Sequence, residues 1–143
     1  MFDLHKTYQY NFPTTIRCGA GVIKELVHYL RNHALKRPLL VTDATVADLP
    51  FFVGITKELL KNGFHVEVYK DMHKNPVKSD VIKGGDRYHQ TQSDCIVGIG
   101  GGVALDVSRA IALRVNHNRD LFDYDDLIGG DQFVTEEVPH FIT

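Results

Sequence analysis

Cys95-Ile96-Val97-Gly98-Ile99-Gly100-Gly101-Gly102-Val103-Ala104-Leu105-Asp106 is an apolar run that empties into glycines and then into a helical pattern. A short apolar run bounded by turn residues predicts a buried parallel strand. Glycines lack Cβ, so the backbone can turn sharply there and approach a ligand closely. The helix expected next, over residues 104–115, presents unpaired N–H groups and a positive dipole end at the turn. Such an end is a ready anion site, and a phosphate or pyrophosphate is its natural guest. The stretch therefore predicts a nucleotide-cofactor domain.

Upstream, Pro38 precedes Leu39-Leu40-Val41-Thr42, a short buried strand that stops at Asp43. Before it, Val22, Ile23, Leu26, Val27 and Leu30 recur at helical spacing and predict a helix over residues 22–32. Phe52, Ile55 and Leu59 predict another over residues 51–61, stopped by Asn62-Gly63. Phe64, Val66 and Val68 alternate with polar residues, as in a strand over residues 64–69. Asn75-Pro76 breaks the chain before a helical stretch over residues 77–89, which Gly84-Gly85 weakens by about 1 kcal/mol per glycine. Residues 116–137 read as polar loop and residues 139–143 as one more strand. At the other end, residues 8–17 are β-like around Pro13, which suits an edge strand or hairpin. Strand and helix thus alternate, and parallel pairing with right-handed helical crossovers is the simplest assembly. The fold class is α/β: one Rossmann-like three-layer domain over residues 1–143, its mainly parallel sheet flanked by helices.

Composition narrows the function classes. Hydrophobic content of 43% and charged content of 24% are ordinary for a soluble globular chain. Net charge is −2, and Lys and Arg are scattered rather than striped, which argues against a nucleic-acid partner. No apolar run approaches the ~18 residues that span a bilayer, and the N-terminus has no secretory pattern. Cys18 and Cys95 lie far apart; the plain reading is two buried thiols in a reduced, cytoplasmic protein, and one long-range disulfide is the alternative. The eight histidines include no H-x-H or H-E-x-x-H, so no metal ligand is assigned. No pairing of nucleophile and base is visible either.

The spacing Gly98-x-Gly100-x-x puts Val103 where a Rossmann fingerprint wants its third glycine. That fingerprint's acidic residue would fall near residues 120–126, in a loop, which disfavours a standard Rossmann unit. A P-loop fails as well, because no Gly-Lys-Ser/Thr follows. Asp43 shifts the balance: ligands in open α/β sheets sit beyond the carboxyl ends of the strands, where Asp43 stands. Its carboxylate suits the hydroxyls of an adenosine ribose and repels a 2′-phosphate; equally, it suits a cap on the following turn. Asp106 is expected in the first turn of the helix, as a dipole-stabilising acid or as a group facing the far end of a cofactor.

Taken together, Leu40-Val41-Thr42-Asp43, Asn75-Pro76 and the run from Gly98 to Ala112 resemble the N-terminal domain of the iron-containing (group III) alcohol dehydrogenases, which share the dehydroquinate synthase-like fold. The family pattern is Gly-Gly-Gly-Ser-x-x-Asp-x-Ala-Lys-Ala, from which this chain departs at Val103, Ser108 and Arg109. The resemblance implies that Gly100, Gly101 and Gly102 cradle the pyrophosphate of NAD and that Val103 contributes only its backbone N–H. It also implies that Asp43 contacts the adenosine ribose and favours NAD over NADP, and that Asp106 lies toward the nicotinamide. The N-terminal strand would take part in homodimer contacts.

In the family a Thr-rich Pro-Thr-Thr-x-Gly-Thr segment follows, and then a helical domain whose aspartate and three histidines hold a divalent metal, Fe or Zn. Neither is found here. The resemblance thus implies one half of an NAD-dependent dehydrogenase acting on a small alcohol or aldehyde, inactive by itself. Two alternatives remain open: a non-catalytic nucleotide- or partner-binding module of the same fold, and a glycerol dehydrogenase or dehydroquinate synthase-like relative.

Overall fold

The computed structural model describes residues 14–143, and its sheet is assembled from the apolar runs. Strands β1 (Pro38–Val41), β2 (Glu67–Tyr69), β3 (Cys95–Gly98) and β4 (His140–Ile142) form one parallel sheet in the order β2-β1-β3-β4. Leu40 lies beside Val68 on one side and Val97 on the other, and Val97 lies beside Ile142. The strand expected over residues 64–69 is thus shorter. Phe64 is buried but leads into β2 as loop, its N–H donating to Leu59 O at 3.2 Å.

The helices are α1 (Leu26–Asn32), α2 (Ala44–Ala47), α3 (Pro50–Lys61), α4 (Lys78–Gln90) and α5 (Gly102–Asn116). The stretch expected to begin the first helix, Val22–Glu25, is a 3-10 turn instead. Alternation along the strands splits the core in two. Leu39, Val41, Tyr69 and Ile96 pack with Val81 of α4 and with Val107, Ile111 and Val115 of α5. On the other side, Leu40, Cys95 and Val97 pack with Leu26 and Leu30 of α1 and with Phe52 and Leu59 of α3. The three-layer expectation holds.

Gly84, expected to weaken its helix, is what lets α4 lie against α5. A Cβ there would fall 2.7 Å from Ile111 Cγ1 and 3.1 Å from Tyr69 Cε1. Its cost in helix propensity is offset by this close approach. Residues 116–137, expected as loop, contain three 3-10 turns, at Leu121–Tyr124, Asp126–Ile128 and Gly130–Phe133. The N-terminal strand expected over residues 8–17, with its dimer contact, lies mostly outside the described residues; residues 14–17 are not in a strand. Both cysteines are free thiols, and the expectation of two buried ones fails for Cys18, which is exposed. No helix among the described residues is long and apolar enough to cross a membrane.

Two acids, half-buried Asp94 and buried Asp80, staple the loops at opposite ends of the sheet. Asp94 accepts from the N–H groups of Lys36 (2.7 Å) and Arg37 (2.9 Å), fixing the entry to β1 against β3. Asp80, fully buried, accepts from Val77 N (3.0 Å), His73 N (3.1 Å) and His73 Nδ1 (2.8 Å). Burial pushes the Asp80 carboxyl up, but these donors outweigh it and hold the group below its ordinary 3.8.

The unfolded chain therefore takes up this proton first as pH falls, so the Asp80 contribution is complete above about pH 4 and is lost as pH drops through the folded value. Asp80→Asn is expected to cost about 1–3 kcal/mol at neutral pH, by leaving buried donors poorly matched. It should also flatten the decline in stability below pH 4. Urea midpoints between pH 3 and 7 check both; parallel pH curves for the variant and the parent chain would contradict the assignment.

Candidate coenzyme site

The strand order places the switch point of the sheet between β1 and β3: from β1 the chain crosses outward to β2, then returns to the other side for β3. Ligands of open α/β sheets sit at the carboxyl ends of the strands flanking that point. Val41 and Gly98 are register partners, and Ile99 N donates to Val41 O at 2.9 Å, extending the ladder by one step. The next residues on the two sides are Thr42-Asp43 and Gly100-Gly101.

Gly100 has φ +147°, a conformation that favours glycine. A Cβ on it would lie 2.9 Å from Ala104 Cβ, 3.7 Å from Asp43 Oδ2 and 3.8 Å from Thr42 Oγ1. Residues remote in sequence thus converge on one glycine. A Cβ on Gly101 or Gly102 would meet nothing within 4 Å, so beyond the turn the space is open. Gly101 is the N-cap of α5 and offers no side-chain acceptor to the first N–H groups of the helix. The backbone amides of Gly102, Val103 and Ala104 accordingly have no partner within the helix.

Asp43 caps the following turn with one oxygen and leaves the other uncommitted. Oδ1 accepts from Val46 N at 2.9 Å and caps α2. Oδ2 is turned toward Gly100. The cap holds the carboxylate in one rotamer and so aims the second oxygen at the glycine turn.

Asp106 is not in this group. It stands one turn further along α5, exposed, and its Oδ1 is 3.3 Å from Arg109 Nη1. It borders a cleft of about 460 Å³ between α4, α5 and the Leu121–Tyr124 turn, lined by Val77, Lys78, Val81, Ala110 and Phe122. Lys78 closes one side through an ion pair with Asp120.

Two of the three departures from the family pattern make visible contacts. Ser108 is buried, with its hydroxyl donating to Leu105 O at 2.8 Å, and it fills the space that Gly98 leaves by lacking a Cβ. Arg109 pairs with Asp106 on the surface. Among the described residues no group of three His, Cys, Asp or Glu side chains is placed to hold a metal ion. His33 and His140 do come together, with ring centres 4.7 Å apart, but at the amino end of the sheet. Cys95 is fully buried, and that burial, with Asp94 beside it, pushes its thiol up.

Sequence reasoning passed over Thr42. It is fully buried, and among the described residues its Oγ1 is the buried side-chain polar atom without a hydrogen-bond partner. The available signal was a hydroxyl ending an otherwise apolar strand.

The sequence profile of the family described as iron-containing alcohol dehydrogenase matches residues 13–143. The chain belongs to this family. A relative, alcohol dehydrogenase 4 of Saccharomyces cerevisiae (strain YJM789), is 32% identical over 107 residues, 75% of this chain and 28% of that protein. Among solved structures, the NADH-dependent butanol dehydrogenase A of Thermotoga maritima shares the fold, with a TM-score of 0.77 at 21% identity over 95% of this chain and 33% of that one. The sulfoacetaldehyde reductase of Bifidobacterium kashiwanohense, solved in complex with NAD+, matches with a TM-score of 0.69 at 26% identity over 83% of this chain and 31% of that one. The chain spans about a third of the length of these relatives.

Proposed function

We infer that this chain is the NAD-binding part of an iron-type alcohol dehydrogenase, whose whole length interconverts a small alcohol and its aldehyde or ketone. The reading rests on the meeting, at the switch point, of a glycine turn, an open helix N-terminus and one carboxylate oxygen aimed between them. The amides of Gly102, Val103 and Ala104 receive the diphosphate, and Gly101 gives it room. Val103 supplies no hydroxyl where the family pattern has serine, at a cost of about 1 kcal/mol. Asp43 Oδ2 accepts from a ribose hydroxyl and disfavours a 2′-phosphate. Asp106 lies toward the nicotinamide side. The bound nicotinamide supplies hydride transfer; the chain's own residues bind and orient it. The metal that the family name implies finds no fitting residue set among those described, so no step is assigned to it. Alone, at about a third of its relatives' length, the chain is expected to bind coenzyme without oxidising alcohol.

Gly101→Ala tests the reading. Gly101 has φ −80°, which alanine adopts freely, and a Cβ there touches no protein atom. Stability should hold or rise by about 0.4–1 kcal/mol, while the methyl group intrudes where the diphosphate sits. Calorimetric titration is expected to show NAD binding weakened about tenfold or more. Undiminished affinity would place the coenzyme elsewhere.

A second reading, a partner-binding module without catalysis, draws on the apolar side chains Phe122, Leu127 and Ile128, which are 68%, 90% and 75% exposed. A monomer with no affinity for nucleotide would favour it.

A further inference from the structure

The Thr42 hydroxyl is buried at the floor of the glycine turn without a partner, an arrangement that costs a folded chain stability. Its backbone gives no reason for a hydroxyl: Thr42 N is satisfied by Tyr69 O at 3.0 Å, and valine would extend the apolar run Leu39-Leu40-Val41 equally well. The position, however, is singular. Oγ1 lies 3.8 Å from where Gly100 would carry a Cβ, directly beneath the residue whose φ of +147° sets the turn. With nothing but hydrogen on its Cα, Gly100 is free to shift. Movement of the turn toward β1 carries the Gly100 peptide toward the hydroxyl.

We propose that Thr42 is a positioning residue for the coenzyme: its hydroxyl hydrogen-bonds the Gly100 backbone when the turn closes on the diphosphate. This rests on the NAD reading given above. Drawing the α5 amides and the turn onto the diphosphate brings Gly100 and Thr42 together, so a polar group that is unsatisfied in the free chain becomes satisfied in the bound one. Part of the binding free energy is thereby stored in the free chain as an unmade hydrogen bond. The device links seating of the anion to tightening of the turn, and it leaves Asp43, the next residue, fixed by its cap on α2.

Thr42→Val and Thr42→Ser, made in the full chain, separate this role from a merely structural one. Val keeps the shape and removes the hydroxyl; Ser keeps the hydroxyl and removes a methyl group. For Val we expect a melting temperature without NAD higher by about 3 °C, together with NAD binding about tenfold weaker. Ser should bind NAD within about twofold of the parent chain, even where its stability falls. A Val variant that binds NAD as the parent does overturns the proposal and leaves the coenzyme reading intact. Equal losses of affinity in Val and Ser also overturn it, because packing would then be the cause. No NAD binding by the parent chain overturns the coenzyme reading and this proposal with it.

Discussion

Gly100→Ala is expected to abolish measurable coenzyme binding and to destabilise the chain by about 3 kcal/mol. Two costs combine. An L side chain at φ +147° is strained by about 1–3 kcal/mol, and the new methyl group would sit 2.9 Å from Ala104 Cβ, on the rigid first turn of α5. Ala104 is buried and cannot swing aside, so the turn itself must move. Moving it withdraws the α5 amides from the position they share with Asp43 Oδ2. Denaturant unfolding should show the lower midpoint, and titration with NAD should show affinity reduced at least about a hundredfold. A variant that unfolds like the parent chain and binds NAD normally would mean that the turn is not the seat of the diphosphate.

Asp43→Ser is expected to change coenzyme preference rather than fold. Serine is as good an N-cap as aspartate, so its hydroxyl can still accept from Val46 N and hold α2 in place. What disappears is the charge on the oxygen turned toward Gly100. Unit charges 4 Å apart interact by about 1 kcal/mol in water and about 4 kcal/mol at a protein surface, and a 2′-phosphate carries nearly two charges. Loss of a charge-assisted hydrogen bond to ribose weakens NAD by about 1.5–3 kcal/mol. The ratio of NAD to NADP affinity should therefore fall by about a hundredfold, with the melting temperature nearly unchanged. Titration of both coenzymes against both chains measures it. A constant ratio would remove Asp43 from the account of specificity.

The parts of this architecture that were legible in the sequence share one property: their residues see a single environment. Leu39-Leu40-Val41 and Cys95-Ile96-Val97 are buried on both faces, and an uninterrupted apolar run announces that. Helix α3 was legible from its one apolar face and from the Asn62-Gly63 stop. Reading failed where one residue serves two masters. Gly84 looks like a helix breaker by propensity, but it is a contact point for Ile111, and that neighbour is visible only in three dimensions. Nothing in the sequence singles out Asp80; its burial depends on the loop through His73 folding back over it. At Asp43 a cap and a ligand contact were indistinguishable in sequence, because both need a carboxylate after a strand; the structure uses one oxygen for the cap and turns the other toward Gly100. Asp106 was expected to face away from the glycines, toward the far end of a cofactor; the helix places it one turn beyond them, at the rim of the cleft beside Phe122.

The pairing of Val41 with Gly98 has a thermodynamic consequence. The two halves of the seat come from strands with three helices and a strand between them in the chain, so the seat exists only once those strands have found each other. A dinucleotide that fits it has nothing to hold in the denatured ensemble, and its occupancy must shift the folding equilibrium by mass action. At a ligand concentration a hundred times the dissociation constant, the shift is about 2.7 kcal/mol. On the NAD reading, a cell rich in this dinucleotide would hold more of the protein folded.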